Sequence, residues 1–415
     1  MSLSSRDASA SRRLRAAVAS ALGLSVAGVA HAAEVYYQPV ASIATSHNSN
    51  VNLDNIALGR ESLQGYFADL ATRIGIATPT SDTTLLPRLV YDYYPSDHSF
   101  DRLEGFLNGN SRVSWQRDTL SVSGLFEHLD DLNAERPSAQ YNEINPGIGN
   151  SPGSGGRIAA GTTRNYYYLL PTWTHSLSPR SGLGLGAEYQ RISYSQQDTS
   201  SHIDFNYYLA KAFYTHALSV RSDYSVSVFG SQYKADSIDS KTDSAGVSFN
   251  TGYNWTQTLR SSLTLGVQQT RAEASVSRVV NDTTHPWSAA LSTVYTGQTG
   301  TFRVDVGRIL APGSAGGLYT TDQVRGQYDH DFSERLHFTG ALRYFRTRTL
   351  SSVLGDDTRD YATANVGLQW MITRTIFVAG NAAYIYQKYR VEPTSADSNI
   401  ITLTFGYRGL ERQRR

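Results

Sequence analysis

From Glu34 onward, apolar residues alternate with small or polar ones at a period of two. Leu183, Leu185, Ala187 and Tyr189 interleave with Gly184, Gly186, Glu188 and Gln190, and Leu263, Leu265 and Val267 with Thr264, Gly266 and Gln268. Phe302, Val304 and Val306 interleave with Arg303, Asp305 and Gly307, and Ile401, Leu403, Phe405 and Tyr407 with Thr402, Thr404 and Gly406. Successive side chains of a strand point to opposite faces, so each run predicts a strand with one apolar and one small or polar face. The first half of the chain gives strands near 34–46, 63–78, 84–94, 102–116, 119–129, 163–176, 182–194, 204–218 and 224–234. The second half gives 244–256, 261–273, 286–296, 300–310, 320–332, 335–347, 359–372, 375–389 and 399–408. The total is 18, or 16 without the weakly patterned 34–46 and 102–116.

A soluble β-sandwich shares this local pattern, and two features argue against one. The runs are mostly 11–15 residues long, against about 5–6 for a typical soluble strand, and a tilted strand crossing a bilayer needs about 9–11. The connectors also alternate between tight turns (116–119, 176–180, 256–260, 331–335, 373–375) and looser polar stretches (195–203, 235–243, 348–358, 390–398), as periplasmic turns and extracellular loops do. The expected fold is all-β: a transmembrane antiparallel up-and-down barrel. Closure is required because lipid cannot satisfy the backbone groups of an open sheet edge.

The first residues read as an export leader. Arg6, Arg12, Arg13 and Arg15 precede a short apolar run over 16–29, and Ala30, His31 and Ala32 supply a small-residue cleavage site. Such a run is too short to span a bilayer as a helix, and no later stretch reaches about 18 apolar residues. The expected organisation is a signal peptide over 1–32, an outer-membrane barrel over 33–408 and a short basic tail over 409–415. Cleavage after Ala33 is the second choice, and general secretion is preferred to twin-arginine export because Arg15 stands where the latter signal wants an apolar residue.

Composition narrows the chemistry. The chain has no cysteine, which excludes disulfides, thiolate metal sites and a cysteine nucleophile. A formal charge of +1 gives no basic excess for nucleic acid. Tyrosine (27) outnumbers phenylalanine (14). Aromatic residues gather near strand ends: Tyr93 and Tyr94, Tyr166 to Tyr168, Tyr207 and Tyr208, Trp173, Trp255, Trp287, Trp370, Tyr384 and Tyr386. Rings with a polar handle favour the headgroup level, so these predict two girdles in contact with outer-membrane lipid.

The unit at 171–195, a strand ending in Trp, a Leu-Ser-Pro-Arg turn and a strand of alternating Leu and Gly, echoes at 252–270 and 366–386. Together with the segments at 46–55 and 91–124, it resembles the β-barrel porins encoded with bacterial exopolysaccharide and capsule operons. The resemblance implies a conduit for secretion of an extracellular polysaccharide, working with a periplasmic polysaccharide-export protein, and brings no catalytic residue. Phe405 and Tyr407 are the expected signal for the barrel-assembly machinery, although a basic tail follows where such signals end on an aromatic residue.

The inward face of the predicted strands is small and polar: Ser121, Ser123, Thr172, Thr174, Gly184, Gly186, Thr264, Ser288, Ser292, Thr402 and Thr404. It reads as wetted wall and not as packed core. Arg303, Arg325 and Arg343 are expected inward on neighbouring strands, with Arg346 and Arg348 near the outer end, Asp305 and Asp329 among them, and Glu127 and Glu188 on the other half. Opposed charges across a pore orient water and weakly select ions, and a run of Arg suits guiding an anionic polymer; alternatively the opposite charges pair and stiffen the wall. The irregular stretch 130–162 is either a lumen plug or an extracellular loop.

Enzymatic readings are weak. Glu127–His128 and Asp97–His98 are the nearest candidates, and no Gly-x-Ser-x-Gly is present. The groups Asp236/Asp239/Asp243 and Asp356/Asp357/Asp360 match no complete calcium loop. No catalytic residue, metal or cofactor is expected. The leading expectation is the polysaccharide conduit. The alternatives are a general diffusion porin for small solutes or ions, and a surface structural or adhesin-like barrel with a closed lumen.

Overall fold

The computed structural model describes residues 33–53, 61–130, 162–195, 202–274, 280–313, 316–350, 358–390, 395–410 and 412–414. The expected signal peptide, most of 130–162, and Asp356 and Asp357 lie outside these residues. In chain order the strands are β1 (Glu34–Asn48), β2 (Leu63–Ala77), β3 (Ser81–Tyr93), β4 (Arg102–Ser114), β5 (Asp118–Asp130), β6 (Thr163–Ser178) and β7 (Ser181–Tyr194). There follow β8 (Phe205–Ala217), β9 (Ser222–Ala235), β10 (Ser240–Asn254), β11 (Leu259–Ala274), β12 (Val280–Thr284), β13 (Trp287–Thr296) and β14 (Gly300–Gly313). The last are β15 (Gly317–Ser333), β16 (Leu336–Thr349), β17 (Arg359–Met371), β18 (Ile376–Tyr389), β19 (Ser395–Arg408) and the short β20 (Arg412–Arg414).

Each strand pairs antiparallel with its sequence neighbour, and β1 pairs with β19 from Val40↔Arg408 to Asn48↔Ile400, which closes the sheet. β12 and β13 both pair with β11 in one continuous register. They form a single stave, interrupted at His285 and Pro286, where proline has no N–H for the ladder. The barrel therefore has 18 staves, and both weakly patterned segments are full strands. Over Arg412–Arg414, in the basic tail, the backbone runs on along β1 in the direction of β19 and pairs antiparallel with Val35–Tyr37, one residue out of the β19 register.

Six of the tight turns share one local device. Thr78, Ser178, Ser219, Thr256, Ser333 and Thr373 each accept, on the side-chain hydroxyl, a backbone N–H from two residues further on. In all but Ser178 the N–H three residues on is accepted as well. The hydroxyl replaces a backbone acceptor and fixes the reversal, which explains the recurring Ser/Thr in the sequence of these connectors.

The two faces separate cleanly over most of the wall. Ile43, Leu70, Leu89, Leu185, Val228, Leu265, Leu291, Val306, Leu342 and Leu403 are exposed on the outer face, a band for lipid. Ser121, Thr172, Gly186 and Thr264 lie in the opposite register, facing the bore. Two lumen glycines sit beneath rings directly across the ladder: Gly184 under Phe213 and Gly406 under Phe377. At either position a Cβ would fall 2.2 Å from the Cζ of the ring, so only glycine leaves room for it.

The expectation of a wholly wetted inner wall is corrected at the outer end, where the bore is packed. Leu53 follows β1 with a left-handed φ of 53° and enters a cluster with Phe345, Tyr361, Ile385 and Ala396. Gln387 Nε2 donates to the Leu53 carbonyl at 3.0 Å, and Asn50 Nδ2 donates to that of Asp397 at 3.0 Å. On another side, Tyr166, Ile192, Tyr194, Phe205 and Tyr233 meet Leu318 at the tip of the β14–β15 hairpin. Tyr233 Oη donates to the Gly313 carbonyl at 3.1 Å and Ser240 Oγ to that of Gly316 at 3.0 Å, so the hairpin tip is tied to the non-adjacent β9 and β10. Apolar residues on both faces break the alternation here. Tyr94 and Tyr166, expected in a lipid girdle, are buried within, whereas Tyr93, Trp173, Trp287, Trp370 and Tyr384 are exposed on the outer face.

Candidate functional site

The charged wall of the bore is built from strand register. Asp305 on β14 lies opposite Arg325 on β15, which lies opposite Arg343 on β16. Arg303 faces the same way two residues below Asp305, and Asp329 two rungs below the Arg325–Asp305 level. The side chains do not simply cancel. Arg303 Nε donates to Asp305 at 2.8 and 3.1 Å, which commits that carboxylate. Asp329 accepts from Gln327 Nε2 at 2.9 Å. No carboxylate among the described residues forms an ion pair with Arg343; its guanidinium carbon lies 4.7 Å from the centre of the Phe345 ring, and its Nε is buried without a hydrogen bond. Two arginines thus face each other across the ladder, Arg325 with Asp305 opposite it on its other side and Arg343 with no ion-pair partner among the described residues. Arg343 stands at the foot of the outer packing, because Phe345 belongs to the Leu53 cluster.

Arg346 and Arg348, expected near the outer end of this row, do not face the bore. They share the register of Tyr344 and Leu342, both exposed on the outer face. Their inclusion is corrected by parity, since a residue three or five places from Arg343 falls on the opposite face of a strand.

On the other half of the bore, Glu127 is buried against Arg164 at 3.0 Å. Arg88 likewise grips Asp69 with Nε and a terminal nitrogen. These buried pairs belong to the wall itself. Glu188 accepts from Gln190 Nε2. The sequence reading missed Lys211, which faces the bore opposite Gly186 with Nζ 5.9 Å from the Phe213 ring centre. Its strand, 205–217, carries aromatic residues on both faces, which hides the parity that would have revealed it. Phe405 and Tyr407 are exposed on the outer face of β19, near the periplasmic end.

The weak catalytic candidates remain apart. Glu127 faces the bore, whereas His128 shares the register of Gly105 on the outer face and contacts Asn165 at 2.8 Å. Asp97 lies in a loop, where hydrogen bonds from the Ser99 side chain and then from the Ser99 N–H hold its pKa below the ordinary value. His98 contacts Asp101 at 3.1 Å. Asp243 takes Lys241 at 2.6 Å, and Asp360 takes Arg346 at 2.7 Å. Among the described residues no group of three or more His, Asp or Glu is arranged to hold a metal ion.

No family model matches the chain. No curated protein matches it either. It is similar to solved barrels. OccK2 (OpdF) of Pseudomonas aeruginosa in complex with glucuronate is 12% identical over 91% of this chain and 98% of that one, with a TM-score of 0.43. OpdK of Pseudomonas aeruginosa with vanillate is 11% identical over 91% and 99%, at 0.42. OccAB3 of Acinetobacter baumannii is 10% identical over 90% and 99%, also at 0.42. At these scores the fold assignment rests on the chain's own strand pairing. The polysaccharide-conduit expectation is corrected here. Of the similar barrels, OccK2 is in complex with glucuronate and OpdK is with vanillate. This bore is also packed at its outer end, where a polymer would need width. The closed wall, exposed apolar band and charged bore make the chain a transmembrane antiparallel β-barrel of 18 staves.

Proposed function

We propose that the barrel is a passive diffusion porin for small solutes, with a preference for anionic ones such as carboxylates. The observation that carries this reading is the directly opposed Arg325 and Arg343 in mid-bore, with Arg343 lacking an ion-pair partner among the described residues and Asp305 committed to Arg303. Like charges across a ladder are destabilising, and a passing carboxylate relieves that cost with charge-assisted hydrogen bonds. The packed outer end supports a size limit for the solute. The test is planar-bilayer recording of the purified barrel. Stepwise ohmic conductance, reduced by millimolar mono- or dicarboxylates and untouched by a neutral sugar of the same size, is the expected result. A barrel that inserts without conducting overturns the proposal in favour of a closed lumen.

A further inference from the structure

The outer face carries a charged row that transport through the bore does not use. Strand register places Arg308 opposite Asp322, Asp322 opposite Arg346, Arg346 opposite Asp360, and Asp360 opposite Lys388, so five consecutive staves from β14 to β18 bear alternating charges on one rung. The rung has the parity of Val306, Val324 and Leu342, all exposed on the outer face. Arg308 and Arg346 each hold their aspartate with two nitrogens, at 2.6 and 2.9 Å and at 2.7 and 3.1 Å. Two further cations are less committed. Arg348 reaches Asp322 only at 3.6 Å, and Lys388 is exposed and forms no ion pair among the described residues. Among the described residues of the row, four cations therefore meet two carboxylates.

The depth of the row identifies its surroundings. On the outer face of β17, Asp360 lies ten residues from Trp370 at the periplasmic end, with Leu368, Val366, Ala364 and Ala362 between. At about 3.3 Å per residue and a tilt near 40° that spacing is roughly 25 Å, the height of a barrel's apolar band. The row thus stands where hydrocarbon gives way to headgroups. Arg308 stacks 4.4 Å from the centre of the Trp287 ring, an aromatic residue exposed on the same face.

We infer that this row is a docking surface for a glycolipid of the outer leaflet that bears phosphate on its sugar headgroup. Arg348 and Lys388 take the phosphates, while the two aspartates hold Arg308 and Arg346 flat along the wall. A fixed lattice of arginines suits phosphate oxygens, and each cation at a membrane surface adds to the attraction for anionic lipid.

The test uses the full barrel in a nonionic detergent, with native mass spectrometry to count bound lipid. The probes are a hexa-acylated diglucosamine bisphosphate, its dephosphorylated form, and inorganic phosphate. The expected result is retention of the bisphosphate lipid and not of the dephosphorylated form. R348Q/K388Q should weaken it on the order of 30-fold, while R348K/K388R retains it. Both variants leave the paired arginines in place, and unchanged heat-dependent gel mobility verifies the fold. Equal binding by R348Q/K388Q and the parent would overturn the inference. So would equal retention of the dephosphorylated lipid, which would mean acyl contacts alone, or abolition of lipid binding by equimolar inorganic phosphate, which would mean a site for the free ion.

Discussion

Replacing Arg343 by glutamine tests the proposed anion preference at its most exposed point. Glutamine keeps a polar, hydrogen-bonding group at this position, but it is shorter and carries no charge. Because no carboxylate among the described residues pairs with Arg343, the change strands none of them, and the barrel should fold normally. A unit charge about 4 Å from a monovalent anion is worth about 1 kcal/mol at the dielectric of water and about 4 kcal/mol at an effective value of 20. A wetted bore with one protein wall lies nearer the first figure, so R343Q should lower anion occupancy in mid-bore roughly tenfold, and R325Q/R343Q roughly a hundredfold. The readout is the reversal potential across a planar bilayer under a potassium chloride gradient. Removing a cation moves the potential toward cation selectivity. The effect should shrink between 0.1 and 1 M salt, as the screening length falls from about 10 to about 3 Å. Arg271, on the outer face and paired with Glu273 at 3.1 Å, supplies the control R271Q. If R343Q gives the reversal potential of the parent and of R271Q at 0.1 M salt, the opposed arginines do not face the conducting path and the reasoning fails.

Two further predictions concern the wall. Removing the charge of buried Arg164 strands Glu127, so R164M should cost about 3–5 kcal/mol, read as a lower urea midpoint for the barrel in lipid vesicles; E127Q/R164M should recover much of it, and an unchanged midpoint in R164M would show the pair to be dispensable. G184V places a side chain into the Phe213 ring and should cost about 1–3 kcal/mol through overpacking. Loss of heat-modifiable mobility at a lower temperature would report this, and F213A should restore it; a G184V barrel as stable as the parent would refute the ring-over-glycine account.

The barrel was legible because water on one side and lipid on the other force the same alternation on nearly every strand. Counting by two from Phe302, Val304 and Val306 places Arg303 and Asp305 inward, and the register agrees. What escaped was whatever breaks that rule. At the outer end Tyr94, Tyr166, Tyr233 and Tyr361 point inward and are buried, so neither face is polar and parity carries no signal. The packing there also depends on contacts that no local window contains. Leu53 meets Ile385 and Ala396 from the far end of the chain, and Leu318 meets Tyr233 across intervening staves. Pro286 concealed the upper part of one stave, because a residue without an N–H reads as a strand beginning.

The arginines of this bore divide by partner, and sequence alone could not make the division. Arg88 and Arg164 are spent on Asp69 and Glu127 within the wall, where taking away one partner leaves an uncompensated charge. Arg343 is different in kind. It rests on one ring, Phe345, and that ring stacks on Tyr361 at 4.9 Å with an interplanar angle of 24°. Phe345 and Tyr361 are also the residues against which Leu53 packs. The narrowing at the outer mouth and Arg343, which has no ion-pair partner among the described residues, are therefore built on the same pair of rings, so under the proposed function a solute that passes Leu53 meets Arg343 next. Size is tested first and charge immediately after, within one packed unit. A wall of uniformly small polar residues would have supplied neither filter.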